Sequence, residues 1–224
     1  MMPTRTPSIR RNGRGRALAV AAAVVLQLAA CAPLVVGGAM VGGTMVYVDR
    51  RTTGAQVEDQ TIEVKAANRA KEVAGDRAHV NVTSYNRTVL LTGEAPTEAD
   101  RAAIEQAVQH VENVRSTVNE VAVALPSSLS SRSNDSFLTT KVKATFVDAK
   151  DLQANAFKVV TERANVYLLG RVTEREATRA TDLARTVSGV QKVVRVFEII
   201  SEAELAELTA KTETPPPKNE PPRK

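Results

Sequence analysis

Cys31 is the single thiol in 224 residues, so any sulfur chemistry in this chain must use it. It can form no intrachain disulfide and has no second cysteine for a redox pair or a thiolate metal cage. The two histidines, His79 and His110, have no cysteine or second histidine at ligand spacing. His79 opens an alternating stretch, and His110 sits late in a helical one. There is no Gly-x-Ser-x-Gly elbow, Walker loop or dinucleotide fingerprint. Glu174 and Glu176 form a close carboxylate pair, but they follow Thr173 in the first turn of a helical pattern, where capping and the helix dipole account for them. These types and spacings supply no catalytic set, no metal site and no cofactor-binding motif, and the chain is not expected to be an enzyme.

The residues before Cys31 have a different logic. Arg5, Arg10, Arg11, Arg14 and Arg16 precede the uncharged run ALAVAAAVVLQLAA. A basic region followed by an apolar one reads as a secretory signal, residues 1–30, removed from the mature protein. Leu28-Ala29-Ala30-Cys31 resembles the bacterial lipobox, in which small residues let the peptidase close on the bond and the cysteine thiol takes a diacylglyceryl group. The expectation is cleavage before Cys31 and lipidation there, with residues 31–55 as a Gly-rich tether. Ala32 stands where an Asp would resemble an inner-membrane retention signal, which points to the outer membrane. A second reading stays open: the uncharged stretch continues to Val48, long enough for a helix across a bilayer. Pro33 and the glycine pairs at 37–38 and 42–43 disfavour it.

Charge excludes a further class of partner. The chain has 30 Lys and Arg against 25 Asp and Glu, but five of the arginines precede Cys31, so the remainder is balanced. That balance removes the basic footprint expected of a nucleic-acid binder. With three Tyr, four Phe and no Trp, there are few rings for stacking bases or sugars. The balance is uneven along the chain: residues 56–125 hold 7 basic and 11 acidic side chains, and residues 132–202 hold 12 and 9.

Those two stretches are copies of one unit. TEADRAAIEQAVQHVENVRSTVNEVAV from Thr97 aligns with TEREATRATDLARTVSGVQKVVRVFEI from Thr173, and VLLTG ending at Gly93 aligns with VYLLG ending at Gly170. Each copy predicts a helix, an alternating strand (79–84 or 157–161), a polar turn and a second strand. A capped helix and a third strand complete it. Thr97 with Asp100, and Thr173 with Glu176, have capping-box spacing. Gly93 and Gly170 are assigned to a backbone turn or close helix–strand packing. The fold class is α+β: two α-β-β-α-β domains over 56–125 and 135–202, each a three-stranded mixed sheet on two helices. Residues 126–134, PSSLSSRSN, read as a Ser-rich linker, and 203–224 as a Pro-rich disordered tail.

The segments NVTSYNRTVLLTGEAPTEAD and VYLLGRVTEREATRATDLARTVSGVQKVV resemble the BON domain. QVEDQTIEVK, SFLTTKV and LGRVTEREA extend the likeness, and the arrangement as a whole is similar to the dual BON-domain outer-membrane lipoprotein family over most of residues 31–200. The resemblance implies a lipid-anchored protein with periplasmic domains and a second domain that binds anionic, phosphatidylglycerol-like phospholipid. It also implies accumulation near the division site and a part in envelope integrity. In the family the membrane-facing helix is the first helix of the second domain, with its aromatic position at Phe137.

Comparing the two first helices locates that surface within this sequence. DQTIEVKAANRAKEV (59–73) aligns with DSFLTTKVKATFVDA (135–149): Ile62 matches Leu138, Ala66 matches Val142 and Ala70 matches Phe146 on the inward side. Outward, Thr61 and Lys71 become Phe137 and Val147, on a face centred near Ala144 and bordered by Lys141 and Lys143. An apolar ridge edged by lysines suits the headgroup region of an anionic membrane. The alternative is an adaptor, in which the same ridge or an edge strand docks an envelope-assembly protein or the sister domain.

Overall fold

The computed structural model describes residues 49–213. The signal segment, Cys31, the Gly-rich stretch to Val48 and the Pro-rich end from Thr214 lie outside the described residues, as does the uncharged stretch to Val48 that carries the alternative membrane-spanning reading.

Each copy folds as expected from its pattern. In the first, α1 (Thr53–Ala74) leads through a short 3-10 turn to the hairpin β1 (His79–Tyr85) and β2 (Thr88–Ala95). Helix α2 (Glu98–Gln109) returns the chain to a third strand, parallel to β2 and interrupted at Glu120-Val121, so that it forms β3 (Ser116–Asn119) and β4 (Ala122–Val123). In the second, α3 (Leu129–Asp148) is followed by antiparallel β5 (Lys158–Glu162) and β6 (Asn165–Val172). Then come α4 (Glu174–Thr186) and β7 (Lys192–Ile199), parallel to β6. A last helix, α5 (Glu202–Glu213), follows. Among the described residues no helix is long and apolar enough to cross a membrane.

Both hairpins turn in two residues with positive φ, Asn86 and Arg87 in the first and Arg163 and Ala164 in the second. Positive φ at both central residues matches the strand twist but strains side chains other than Gly and Asn. An aspartate on the preceding helix holds each turn. Asp59 accepts from the N–H groups of Asn86 (2.7 Å) and Arg87 (2.8 Å), and Asp135 accepts from those of Arg163 (2.9 Å) and Ala164 (2.8 Å). Asp59 also takes Ser84 Oγ (2.7 Å) and Arg51 (2.7 Å).

Alternation along the central strands explains how the two domains meet. Val89, Leu91 and Ala95 face α1 and α2, and Val166, Leu168 and Val172 face α3 and α4. The intervening Leu90, Tyr167 and Leu169, with Tyr85, form a separate cluster to which both sheets contribute. The sheets therefore pack on each other, giving helices, sheet, sheet, helices in order. Burial on both faces is why β2 and β6 read as continuous apolar runs rather than alternating ones. In the second core Phe146, Phe157 and Phe197 pack edge to face, where the first copy has Ala70 opposite Phe146.

Neither glycine lies in a turn. Gly93 is within β2 at φ +110°, where a Cβ would stand 2.0 Å from the His79 carbonyl oxygen. Gly170 is within β6, and its Cβ would stand 2.5 Å from the Ala156 carbonyl oxygen. Close approach of backbone to backbone requires both. Gly93→Ala is expected to lower unfolding free energy by about 2–3 kcal/mol, from the backbone shift and the strained φ together. Gly170→Ala, with no φ penalty, should cost less. Urea unfolding monitored by circular dichroism measures both.

Four segments depart from the sequence reading. Residues 129–134 are the first turns of α3, capped by the Ser128 hydroxyl, which accepts from Ser131 N–H (3.2 Å). Residues 203–213 are helical, with Ser201 Oγ accepting from Glu204 N–H (3.1 Å) and Arg171 bound to Glu204 (2.6 Å). Both starts are Ser caps ahead of helix-compatible residues, outweighing the linker-like composition. The end of the tether is structured as well. Arg50 forms two bonds to Glu176, at 2.7 and 2.8 Å, and a third to the Arg171 carbonyl (2.9 Å). Arg51 stacks over the Tyr85 ring at 4.2 Å. Finally, only one capping box closes. Thr173 N–H donates to Glu176 (3.0 Å), whereas Asp100, one methylene shorter than Glu, takes the Thr97 hydroxyl (2.7 Å) instead of the backbone N–H.

Candidate functional site

Helix α3 is the element that positions the proposed lipid-facing residues. Its inward positions Asp135, Leu138, Val142 and Phe146 recur every three or four residues and are buried. That registration turns Phe137, Ala144 and Val147 outward: Phe137 is 58% exposed and Val147 70% exposed. Lys143 and Ala144 are also exposed and Lys141 half-buried. At 100° per residue, Lys141 lies on one side of the Phe137–Ala144 line, and Val147 followed by Lys143 on the other. Lys141 Nζ rests 4.6 Å from the centre of the Phe137 ring, a cation–π contact that leaves the ammonium near the apolar ridge. The structure thus brings Phe137, Lys141, Lys143, Ala144 and Val147 onto one surface.

Leu129 joins them. It is 80% exposed and falls at the same helical angle as Val147, extending the apolar line toward the start of α3. Assigning 126–134 to a linker hid it, and the Ser128 cap is the signal that would have revealed it. The sheet-to-sheet packing also decides against the sister domain as the partner of this ridge. The domains meet through Tyr85, Leu90, Tyr167 and Leu169, and Phe137 keeps its exposure in their presence.

The contrast with α1 lies in charge rather than in apolarity, although Thr61 and Lys71 stand there in place of Phe137 and Val147. Val57 and Val64 are exposed on the corresponding face of α1. What differs is the surrounding charge. Lys65, the counterpart of Lys141, is tied to Glu112 at 2.8 Å. Helix α1 also carries Glu58, Glu63 and Glu72, whereas α3 carries only the buried Asp135 and the terminal Asp148 as acids. Among the described residues neither Lys141 nor Lys143 has a carboxylate within ion-pair distance.

His110 bonds the Gln106 carbonyl on its own helix through Nδ1 (2.7 Å) and is exposed. His79 lies across the hairpin from Glu94. Cys31, the expected lipidation residue, is outside the described residues.

Comparison with known proteins places this architecture. The BON domain profile matches residues 58–124 and again 134–201. The chain belongs to the BON-domain family, in its two-domain, envelope-associated lipoprotein branch. It is 38% identical over 186 residues to the outer membrane lipoprotein DolP of Haemophilus influenzae, covering 82% of this chain and 95% of that one. It is 33% identical over 155 residues to the 21 kDa hemolysin of Actinobacillus pleuropneumoniae, covering 68% and 80%. Among solved structures, CdsD of the Chlamydia trachomatis type III secretion system aligns with 67% of this chain and 99% of its own at 12% identity, with a TM-score of 0.27.

Proposed function

We propose that this protein is a non-catalytic outer-membrane lipoprotein, anchored through Cys31, whose second BON domain docks on anionic phospholipid through α3. The observation that carries the reading is the exposed Phe137–Val147 ridge with two lysines beside it and a single exposed acid, Asp148, at its C-terminal end. An aromatic and two aliphatic side chains enter the headgroup layer, while Lys141 and Lys143 meet lipid phosphates. Each lysine near an anionic surface is worth about 1 kcal/mol. Such binding is weak in isolation. A lipid on Cys31 keeps membrane within reach of the domain and raises its effective concentration. Support of envelope integrity, and enrichment at the division site, follow from the same preference for anionic lipid.

The test is co-sedimentation of the chain from Ala32 onward with vesicles that contain or lack phosphatidylglycerol. Wild-type protein is expected to pellet only with the anionic vesicles, and less at high salt. Phe137→Glu, checked for native circular dichroism, should partition about tenfold more weakly, since it replaces apolar burial with a repelled charge. Pelleting of neither form would leave Cys31 as the sole membrane contact and turn attention to the protein-adaptor reading of the same ridge, and equal pelleting of both would place the lipid contact away from Phe137.

A further inference from the structure

The domain interface contains a donor set unrelated to the lipid face. His79 at the start of β1 pairs across the hairpin with Glu94 near the end of β2, and Glu162 at the end of β5 reaches them from the second domain. One ligand-capable atom from each residue lies within 4.8 Å of the other two. Glu94 is 0% exposed, and neither of its carboxylate oxygens has a hydrogen-bond partner; His79 Nδ1 is likewise buried and unbonded. The nearest side-chain nitrogens are off hydrogen-bond geometry: His79 Nδ1 at 3.4 Å from one oxygen and Arg163 Nη1 at 3.5 Å from the other. A buried carboxylate without hydrogen bonds is costly unless a charge is supplied to it.

Glu162, also buried, is oriented by the Asn81 amide (2.7 Å) and the Thr92 hydroxyl (3.5 Å). We infer that His79, Glu94 and Glu162 bind a divalent transition-metal ion of the zinc class, which ties the two BON domains together. One imidazole nitrogen and two carboxylate oxygens form a three-residue zinc set with a fourth position left for water. Donors about 2.0–2.2 Å from a tetrahedral ion stand about 3.4 Å apart, the separation already found between His79 and Glu94. Closing the set requires only a small movement of Glu162. A polar cleft of about 210 Å³, lined by His79, Glu162, Asp135 and Thr139 among others, opens beside it and provides the route in. Arg163, whose side chain is 41% exposed, is the competing cation and swings outward when metal binds.

The test titrates ZnCl2 into the untagged, lipidated full chain in detergent by calorimetry, followed by Co2+ substitution read optically. One ion per chain is expected, with the intense visible absorption of tetrahedral Co2+ and a zinc-dependent rise in unfolding temperature. His79→Ala should bind at least about tenfold more weakly and lose the thermal shift, while His110→Ala keeps both. Glu162→Gln, which retains the amide contacts to Asn81 and Thr92, is the second variant in case His79→Ala fails to fold, and it should also lose the thermal shift. Absence of binding overturns the inference. So does a wild-type affinity in Glu162→Gln, or binding that disappears in His110→Ala.

Discussion

Asp59→Ala is expected to destabilise the protein by about 3–5 kcal/mol, the range for removing one partner from a buried charged network. The carboxylate is 2% exposed and accepts four hydrogen bonds, from Ser84, Asn86, Arg87 and Arg51. Its loss leaves two backbone N–H groups of a strained positive-φ turn without an acceptor, and leaves Arg51 with Asp49 alone. Burial by itself would raise the pKa of this carboxyl. The bonds from Arg87, Ser84, Arg51 and Asn86 outweigh that and hold it below the ordinary value of 3.8. A carboxyl with a depressed folded-state pKa stabilises the fold above its unfolded pKa and stops doing so as pH falls through the folded one. Wild-type stability should therefore decline below about pH 4, and Asp59→Ala should lack that part of the decline. Urea unfolding at pH 7 and at pH 3 measures both effects. Asp135→Ala, which removes two hydrogen bonds, both from backbone N–H groups, instead of four, is expected to cost less.

Arg50→Ala is expected to cost about 3–5 kcal/mol by leaving Glu176 charged and unpaired in a site both residues occupy almost without solvent. Glu176 also closes the capping box of α4 through Thr173 N–H, so it cannot turn outward without releasing the helix terminus. Here too burial pushes the carboxyl up, while the Arg50 guanidinium and the Thr173 N–H hold it below its usual range. Replacing both residues with apolar ones of similar size should cost far less than either single change, because no charge is then stranded. A double-mutant cycle in urea separates the two outcomes. Arg50 fastens the end of the tether to the second domain, so Arg50→Ala should also expose residues 49–52 to protease. Unchanged cleavage would mean that Arg171 and the Arg51–Asp59 contact are enough to hold that segment.

Much of this architecture was legible because it is local. Helical spacing in 59–73 and 135–149 set the inward stripe, and therefore placed Phe137 and Val147 outside. Thr173-x-x-Glu176 specified its own cap. Alternation and repetition located the hairpins, and the lipobox-like Leu28-Ala29-Ala30-Cys31 is read without any fold. Composition misled at the joints: the serines of 126–134 and the polar residues of 203–213 looked unstructured, although Ser128 and Ser201 each stood where a helix cap belongs.

The amino-acid sequence alone determined the α+β class and the face of α3 that points to solvent, because both depend on periodicities within about 20 residues, and its two aligned copies gave the repeat and the family resemblance without any contact being known. Only the tertiary structure decided that the two sheets pack on each other, that Arg50 belongs to the second domain's helix terminus, and that His79, Glu94 and Glu162 converge. Those contacts join residues far apart in the chain, and no spacing rule connects them. They exist because both faces of β2 and β6 are apolar, and burying the second face brings the polar ends of the two hairpins together.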